Sequence, residues 1–286
     1  MSLIELKDVS KLYGFGDATT IALDEVSLNV EKGEFIAIMG PSGSGKTTLL
    51  NVAGLLDVPT HGTYKLNNRD VARLKPNKQA KHRRDHIGFV FQSFNLLPRL
   101  NILQNVALPL AYRGYTQRRR LKAAASVIDQ MGLSDREYYY PRQLSGGQLQ
   151  RASIARALVN NPSIIIADEP TGNLDSTSTR VVMELLSEVN MMGNTILMVT
   201  HNPSLTRYAS RVIYMRDGSI VYDEQTAIGE IPDPVKRVLG GRGFDKQEDD
   251  LLAVSALMNS VDGKATPSRN IGTKKPSRKK SKKAKK

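Results

Sequence analysis

Glu34-Phe-Ile-Ala-Ile-Met39 is an apolar run that stops at Gly40. A strand that is apolar on both sides must be covered on both sides, so the run predicts a central parallel strand, feeding a helix that starts near Gly45. Ser163-Ile-Ile-Ile-Ala167 and Asn194-Thr-Ile-Leu-Met-Val-Thr200 have the same character. Each ends in polar residues, where a doubly wound sheet places its ligand crevice. Ile4 to Val9 and Ala22 to Val30 instead alternate apolar and polar positions, as half-buried strands do. Ser210 to Met215 and Ser219 to Tyr222, split by Asp217-Gly218, predict a hairpin. Residues 93 to 158 carry helical periodicity, clearest from Arg118 to Met131 with Gly132 as a stop, and follow the strand-like Ile87 to Phe91. The order of elements predicts an α/β fold with an inserted helical segment.

Composition adds limits. With 286 residues and 40% hydrophobic content, the chain can bury one large core or two coupled ones. No run approaches the roughly 18 apolar residues a membrane span needs. Met1 to Lys7 has neither the basic start nor the apolar centre of a signal peptide, and a cytosolic chain is expected. The absence of cysteine excludes disulfides and thiolate metal sites. The net charge of +13 is local: residues 264 to 286 hold eleven Lys or Arg and no acid, which leaves 30 basic and 28 acidic groups before them. Such a tail cannot bury enough apolar surface to offset its ordering entropy, so disorder is expected there. It can serve solubility, or contact anionic lipid or nucleic acid.

The chemistry begins where the first apolar run stops. Gly40-Pro41-Ser42-Gly43-Ser44-Gly45-Lys46-Thr47 fits Gly-x-x-x-x-Gly-Lys-Ser/Thr. In that pattern backbone N–H groups cradle phosphate oxygens at a helix N-terminus, the Lys reaches the outer phosphates and the hydroxyl reaches Mg²⁺. Thr48 is the next candidate nucleotide contact. Asp168 follows four apolar residues, and a carboxylate at a strand end beside a phosphate loop can hold Mg²⁺ directly or through water. Glu169 is then placed to take a proton from an attacking water. Alone, Asp-Glu-Pro is an ordinary strand end; in one chain with the 40–47 loop it reads as a metal ligand and a base.

Downstream of that loop, Leu144-Ser145-Gly146-Gly147-Gln148 precedes the strand that ends in Asp168-Glu169. A glycine-rich turn before a helix at 148 to 159 accounts for the glycines but not for the order of the five. The set resembles the ATP-binding-cassette (ABC) ATPases over about residues 2 to 225. The resemblance implies a P-loop NTPase (RecA-like) core with an antiparallel β subdomain and an inserted α-helical subdomain. The expected organisation is an ATPase domain over 1 to 240, with the helical insert at about 93 to 158. A short extension follows at 241 to 263, where Asp249 to Met258 can form an amphipathic helix, and then the tail. Roles follow by position: Gln92 would reach metal and water when nucleotide is bound, and His201 would contact the γ-phosphate. Tyr13 would stack on adenine, with Phe15 a nearby competitor. Ser145 and its neighbouring glycine N–H groups would face the γ-phosphate held by another subunit, so that two head-to-tail chains enclose two ATP molecules. Asp175 would lie in the loop that crosses the seam.

Ala167 to Asp175 and Phe89 to Pro98 look like the branch that serves lipoprotein release, macrolide and peptide efflux, and cell-division complexes. Leu149 and Ser153 depart from the Gln and larger aliphatic residue frequent in that branch, at positions that do not touch phosphate. The expected protein is therefore an ATP-binding and ATP-hydrolysing subunit using Mg²⁺, paired with itself or a related ATPase. Its expected place is peripheral, on the cytoplasmic face of the membrane beside an integral permease-type subunit. A cleft in the 93 to 115 region would receive that subunit's coupling helices. The alternative is a soluble ABC ATPase acting on ribosome or nucleic acid, which would give the Lys-rich tail a use; such relatives carry paired cassettes or long coiled-coil insertions, and this chain has neither.

Overall fold

A computed structural model describes residues 2–14 and 19–229. Phe15, the helix expected at 249 to 258 and the tail from 264 lie outside the described residues. The central strand, β3 (Phe35–Met39), is buried along its whole length. Its residues alternate between two hydrophobic cores: Phe35, Ala37 and Met39 face one, Ile36 and Ile38 the other. The same division recurs in β7 (Ile164–Asp168), β8 (Thr195–Val199) and β9 (Arg211–Arg216). Two-sided burial is why these strands read as unbroken apolar runs.

With β6 (Ile87–Phe91) and β10 (Ser219–Gln225), these strands form a six-stranded sheet of order β10-β9-β3-β8-β7-β6. Pairings among β9, β3, β8, β7 and β6 are all parallel, and β10 closes the edge antiparallel. The β9–β10 turn places Asp217 (φ 49°) and Gly218 (φ 84°) both in the left-handed region, the type I′ geometry of a two-residue hairpin. One face of the sheet is covered by α1 (Lys46–Ala53) and a four-stranded antiparallel sheet. That sheet has the order β2-β1-β4-β5 and comprises β1 (Ser2–Tyr13), β2 (Thr20–Glu31), β4 (His61–Leu66) and β5 (Arg69–Asp70). The other face carries α3 (Ile102–Tyr112), α4 (Gln117–Gln130), α5 (Gly146–Leu158) and α6 (Ser176–Met191). Asn101 starts α3 with a capping box, and Gly132 (φ 63°) follows α4.

Helix α2 (Pro76–His86) and strands β4 and β5 have no counterpart in the pattern of the sequence. Helix α2 buries no residue, so it has no apolar stripe to betray it. Strand β4 buries only Tyr64 and Leu66. Strand β1 also continues past Val9 to Tyr13, because the polar Lys11 occupies an inward position.

Candidate active site

Parallel pairing puts the C-terminal ends of β6, β7, β8 and β3 on one edge of the sheet. Gln92, Asp168-Glu169, Thr200-His201 and the Gly40 loop follow from those ends in turn. The loop is held by close backbone approaches. A Cβ on Gly40 (φ 146°) would lie 2.2 Å from the Met215 carbonyl oxygen, and one on Gly45 (φ 93°) 2.4 Å from that of Ala22. Gly45 N-caps α1 without a side-chain hydrogen bond, so no capping side chain consumes the first-turn N–H groups. Within the loop Ser44 N–H donates to the Pro41 carbonyl at 3.2 Å; Ser42 and Gly43 are exposed, Ser44 buried, Thr47 exposed and Thr48 half-buried.

Lys46 Nζ folds back over this loop, donating to the carbonyls of Gly40 at 2.8 Å and Pro41 at 2.7 Å. Burial holds its ammonium below the usual lysine range, against the pull of Glu169 and Asp168. The Asp168 carboxyl is pushed up, first by burial and then by the neighbouring Glu169 charge, with Lys46 opposing. Glu169 sits in the left-handed region at φ 47°, a conformation costing roughly 1–2 kcal/mol for a residue with a Cβ. Its N–H donates to the Val199 carbonyl at 3.1 Å, and its Oε2 lies 2.9 Å from His201 Nδ1. Hydrogen bonding to Glu169 raises the His201 imidazole, while burial opposes. A polar cavity of about 440 Å³ opens beside the pair, with Thr171, Thr200, Arg180 and Arg207 in its lining.

Thr47 and Asp168 offer a hydroxyl and a carboxylate, the hard oxygen donors that Mg²⁺ takes alongside substrate phosphates. Asp168, its ionised form disfavoured by burial and a like charge, is a group that a divalent cation would relieve. The residues present therefore fit the ion.

Gln92 turns toward the loop after β7: its Nε2 donates to Asn173 Oδ1 at 3.3 Å, and Asn173 Nδ2 donates to the Gln92 carbonyl at 3.1 Å. Tyr13 lies at the end of β1, where its phenol donates to Asp57 Oδ2 at 2.7 Å. Asp57, Asn173 and Gln150 are residues that sequence reasoning missed. Buried Gln150 donates from Nε2 to the Pro170 carbonyl at 2.6 Å and ties α5 to the segment after Glu169. No pattern in the sequence marks them, since each matters through a partner distant along the chain.

Ser145 to Gln148 lie apart from the Lys46 loop. A groove of about 170 Å³ holds Ser145, Gly147, Gln148, Thr177 and Ser178, with no residue of 40–48 in its lining. The five-residue order, which a glycine-rich turn alone does not account for, also has local reasons within one chain. Ser145 and Gln148 form a capping box on α5: Ser145 Oγ accepts from Gln148 N–H at 3.4 Å, and Gln148 Oε1 accepts from Ser145 N–H at 2.9 Å. Leu144 packs against the core. Cβ atoms on Gly146 and Gly147 would come within 3.3 Å of Leu174 and 2.8 Å of Ser178 Oγ. Asp175 caps α6, its carboxylate accepting from Ser178 N–H at 2.9 Å and Ser178 Oγ at 2.7 Å; those hydrogen bonds hold the carboxyl low.

A larger cavity of about 780 Å³ lies between α2, β6, α3 and α5, with Phe89, Phe91, Pro109 and Tyr112 in its wall and Arg84 and Arg156 beside them. From the 93 to 115 region, where a cleft is expected, its wall takes Asn95, Leu108, Pro109 and Tyr112; the rest comes from other segments.

The family model described as "ABC transporter" matches residues 23–172. The chain is 52% identical over 219 residues to an uncharacterized ABC transporter ATP-binding protein, MJ1508, of Methanocaldococcus jannaschii; the match covers 77% of this chain and 98% of that protein. It is 43% identical over 265 residues to the macrolide export ATP-binding/permease protein MacB of Sodalis glossinidius, covering 90% of this chain but only 41% of MacB. Among solved structures it is similar to the ATP-binding cassette MJ0796, a dimer in a post-hydrolysis state bound to ADP and Pi. There the TM-score is 0.72 and the identity 44%, with 78% of this chain and 98% of that one covered. No helix among the described residues is long and apolar enough to cross a membrane.

Proposed function

The chain belongs to the ABC transporter family, and from that premise we propose that it is the ATP-binding and ATP-hydrolysing subunit of a membrane complex whose spanning part is a separate permease-type chain. The observation that carries the reading is the meeting of Lys46, Asp168 and the Glu169–His201 pair at one edge of a parallel sheet. We take residues 1 to 240 as the ATPase unit.

Substrate phosphates give Lys46 better acceptors than the Gly40 and Pro41 carbonyls, so its ammonium moves from the loop to the outer phosphates of ATP. The loop's N–H groups at the start of α1 receive the remaining phosphate oxygens. Thr47 and Asp168, with Gln92 when nucleotide is bound, would hold Mg²⁺, which would supply charge neutralisation at the phosphates. Glu169 Oε accepts a proton from the attacking water, and His201, fixed by its contact to Glu169, faces the γ-phosphate. Tyr13 stacks on adenine. Ser145, Gly146, Gly147 and Asp175 serve the site of a second copy or related ATPase, consistent with their separation from the Lys46 loop in one chain.

The relatives named MacB join ATP-binding and permease functions in one protein, of which this chain spans about two fifths in the Sodalis case. That supports a permease partner here, received by the 780 Å³ cavity and holding the chain at the cytoplasmic face. The tail from 264 would contact an anionic surface.

Lys46→Ala tests the site. It should weaken ATP binding by at least about tenfold and abolish turnover, since the charged hydrogen bonds lost are each worth roughly 1.5–3 kcal/mol. Parent-like steady-state ATPase in a folded Lys46→Ala protein would remove the assignment.

A further inference from the structure

Asp57 lies four residues beyond α1, its own N–H donating to the Asn51 carbonyl of that helix at 3.1 Å. Three donors converge on its carboxylate. Tyr13 Oη donates to Oδ2 at 2.7 Å; Lys11 Nζ donates to Oδ1 at 2.6 Å; Val58 N–H donates to Oδ1 at 2.7 Å. Lys11 also donates to the Val58 carbonyl at 2.9 Å, and its ammonium stands 4.9 Å from the centroid of the Tyr13 ring. The ring is thus fixed at its hydroxyl and backed on one side by a cation, while Tyr13 as a whole remains 42% exposed.

We propose that Asp57 is the positioning residue for base recognition: by clamping Tyr13 Oη and Lys11 Nζ to the segment leaving α1, it sets the nucleotide-base ring at a fixed place relative to the phosphate loop that α1 follows. This rests on Tyr13 being the adenine platform. Lys11 covers one side of the ring, which leaves the opposite side for the base. An adenine stacked there and phosphates at the start of α1 are then spaced by α1 and the Asp57 link to Tyr13. Asp57 touches no phosphate-binding residue in this arrangement. Its loss should therefore act on ligands that have a base and spare those that do not.

Removing Asp57 leaves a buried ammonium unpaired, and that alone can unfold a protein. Tyr13→Phe avoids this, because it keeps the ring and the Lys11–Asp57 pair and deletes only the phenol bond to Asp57. Titration calorimetry on the full chain with ATP and with inorganic tripolyphosphate separates base from phosphate binding. Tyr13→Phe and Asp57→Asn should each weaken ATP by about 3- to 10-fold, a loss the size of one ordinary net hydrogen bond, because the bond positions the ring and does not itself touch ATP. Tripolyphosphate affinity should stay at the parent value. KM for ATP should rise with kcat unchanged, the mark of lost uniform binding. Asp57→Ala, where it folds, should weaken ATP further than Asp57→Asn. Tyr13→Ala serves as the reference for the platform itself. If Tyr13→Ala weakens ATP while Tyr13→Phe and Asp57→Asn bind it like the parent, the platform stands and the role of Asp57 is overturned. Equal losses for ATP and tripolyphosphate also overturn it, since they mean Asp57 only supports the fold. Parent-like ATP binding in Tyr13→Ala removes the platform and the clamp together.

Discussion

Glu169 and His201 show how far a single residue's neighbours decide its chemistry. The carboxylate and imidazole meet at 2.9 Å because β7 and β8 are adjacent and parallel, with Asp168 paired to Val199. The imidazole is raised above its ordinary value by the hydrogen bond to Glu169; burial and the Lys46 charge act against it. A folded value above the unfolded one means that the pair adds stability below the ordinary imidazole range and loses it as pH rises through the folded value. In nucleotide-free protein, His201→Gln should therefore lower Tm relative to the parent more at about pH 5.5 than at about pH 8.5. Thermal unfolding of both proteins at the two pH values reads this directly, and an equal gap at both would mean the imidazole is not charged in the pair. The residues with a fixed local grammar, Gly40 to Thr47 and Asp168-Glu169, were legible in the sequence. Asp57 and Gln150 were not, because an aspartate after a helix or a glutamine within one acquires meaning only from Tyr13 or Pro170, far away in the chain.

Elements were legible in proportion to the apolar surface they bury. The strands β3, β7, β8 and β9 each divide their residues between two cores and announced themselves; α2, which buries nothing, and β4, which buries two side chains, did not. Contacts made by absent side chains are equally silent. Gly88 on β6 pairs with Ile165 of β7, and a Cβ there would lie 2.6 Å from the Ala157 carbonyl oxygen on α5. The glycine thus sets how closely the helix that Ser145 caps can seat on the sheet. Gly88→Ala forces backbone apart rather than a flexible side chain, and overpacking of that kind costs about 1–3 kcal/mol. The urea midpoint should fall accordingly while the slope holds. A midpoint equal to the parent's would show that α5 can shift without penalty.

At the scale of the whole molecule, the proposed reading gives one chain two half-sites. Lys46, Asp168, Glu169 and His201 would form one and Ser145 to Gln148 with Asp175 the other, with the Gln150–Pro170 hydrogen bond tying α5 to the segment after Glu169. In that reading the helix start at Ser145 would face the nucleotide of a second chain. Glu169→Gln tests the base and the pairing together. The amide keeps size and hydrogen bonding but cannot accept the proton, and losing a general base costs about 10² to 10⁴ in rate. ATP should still bind, because Lys46, Thr47 and Asp168 are untouched. The mutant should then accumulate as an ATP-bound dimer, seen in size-exclusion chromatography as a shift from monomer on adding Mg-ATP. Ser145→Arg adds bulk and charge to the opposing face and also removes the α5 cap, which costs about 1 kcal/mol, so the single mutant must first give a parent-like circular dichroism spectrum. In the Glu169→Gln background it should erase the dimer shift. Hydrolysis at the parent rate by Glu169→Gln would mean that another group is the base. Dimerisation of the double mutant at the level of the single one would mean that Ser145 to Gln148 do no more than cap a helix, and each chain would have to complete its site without a partner.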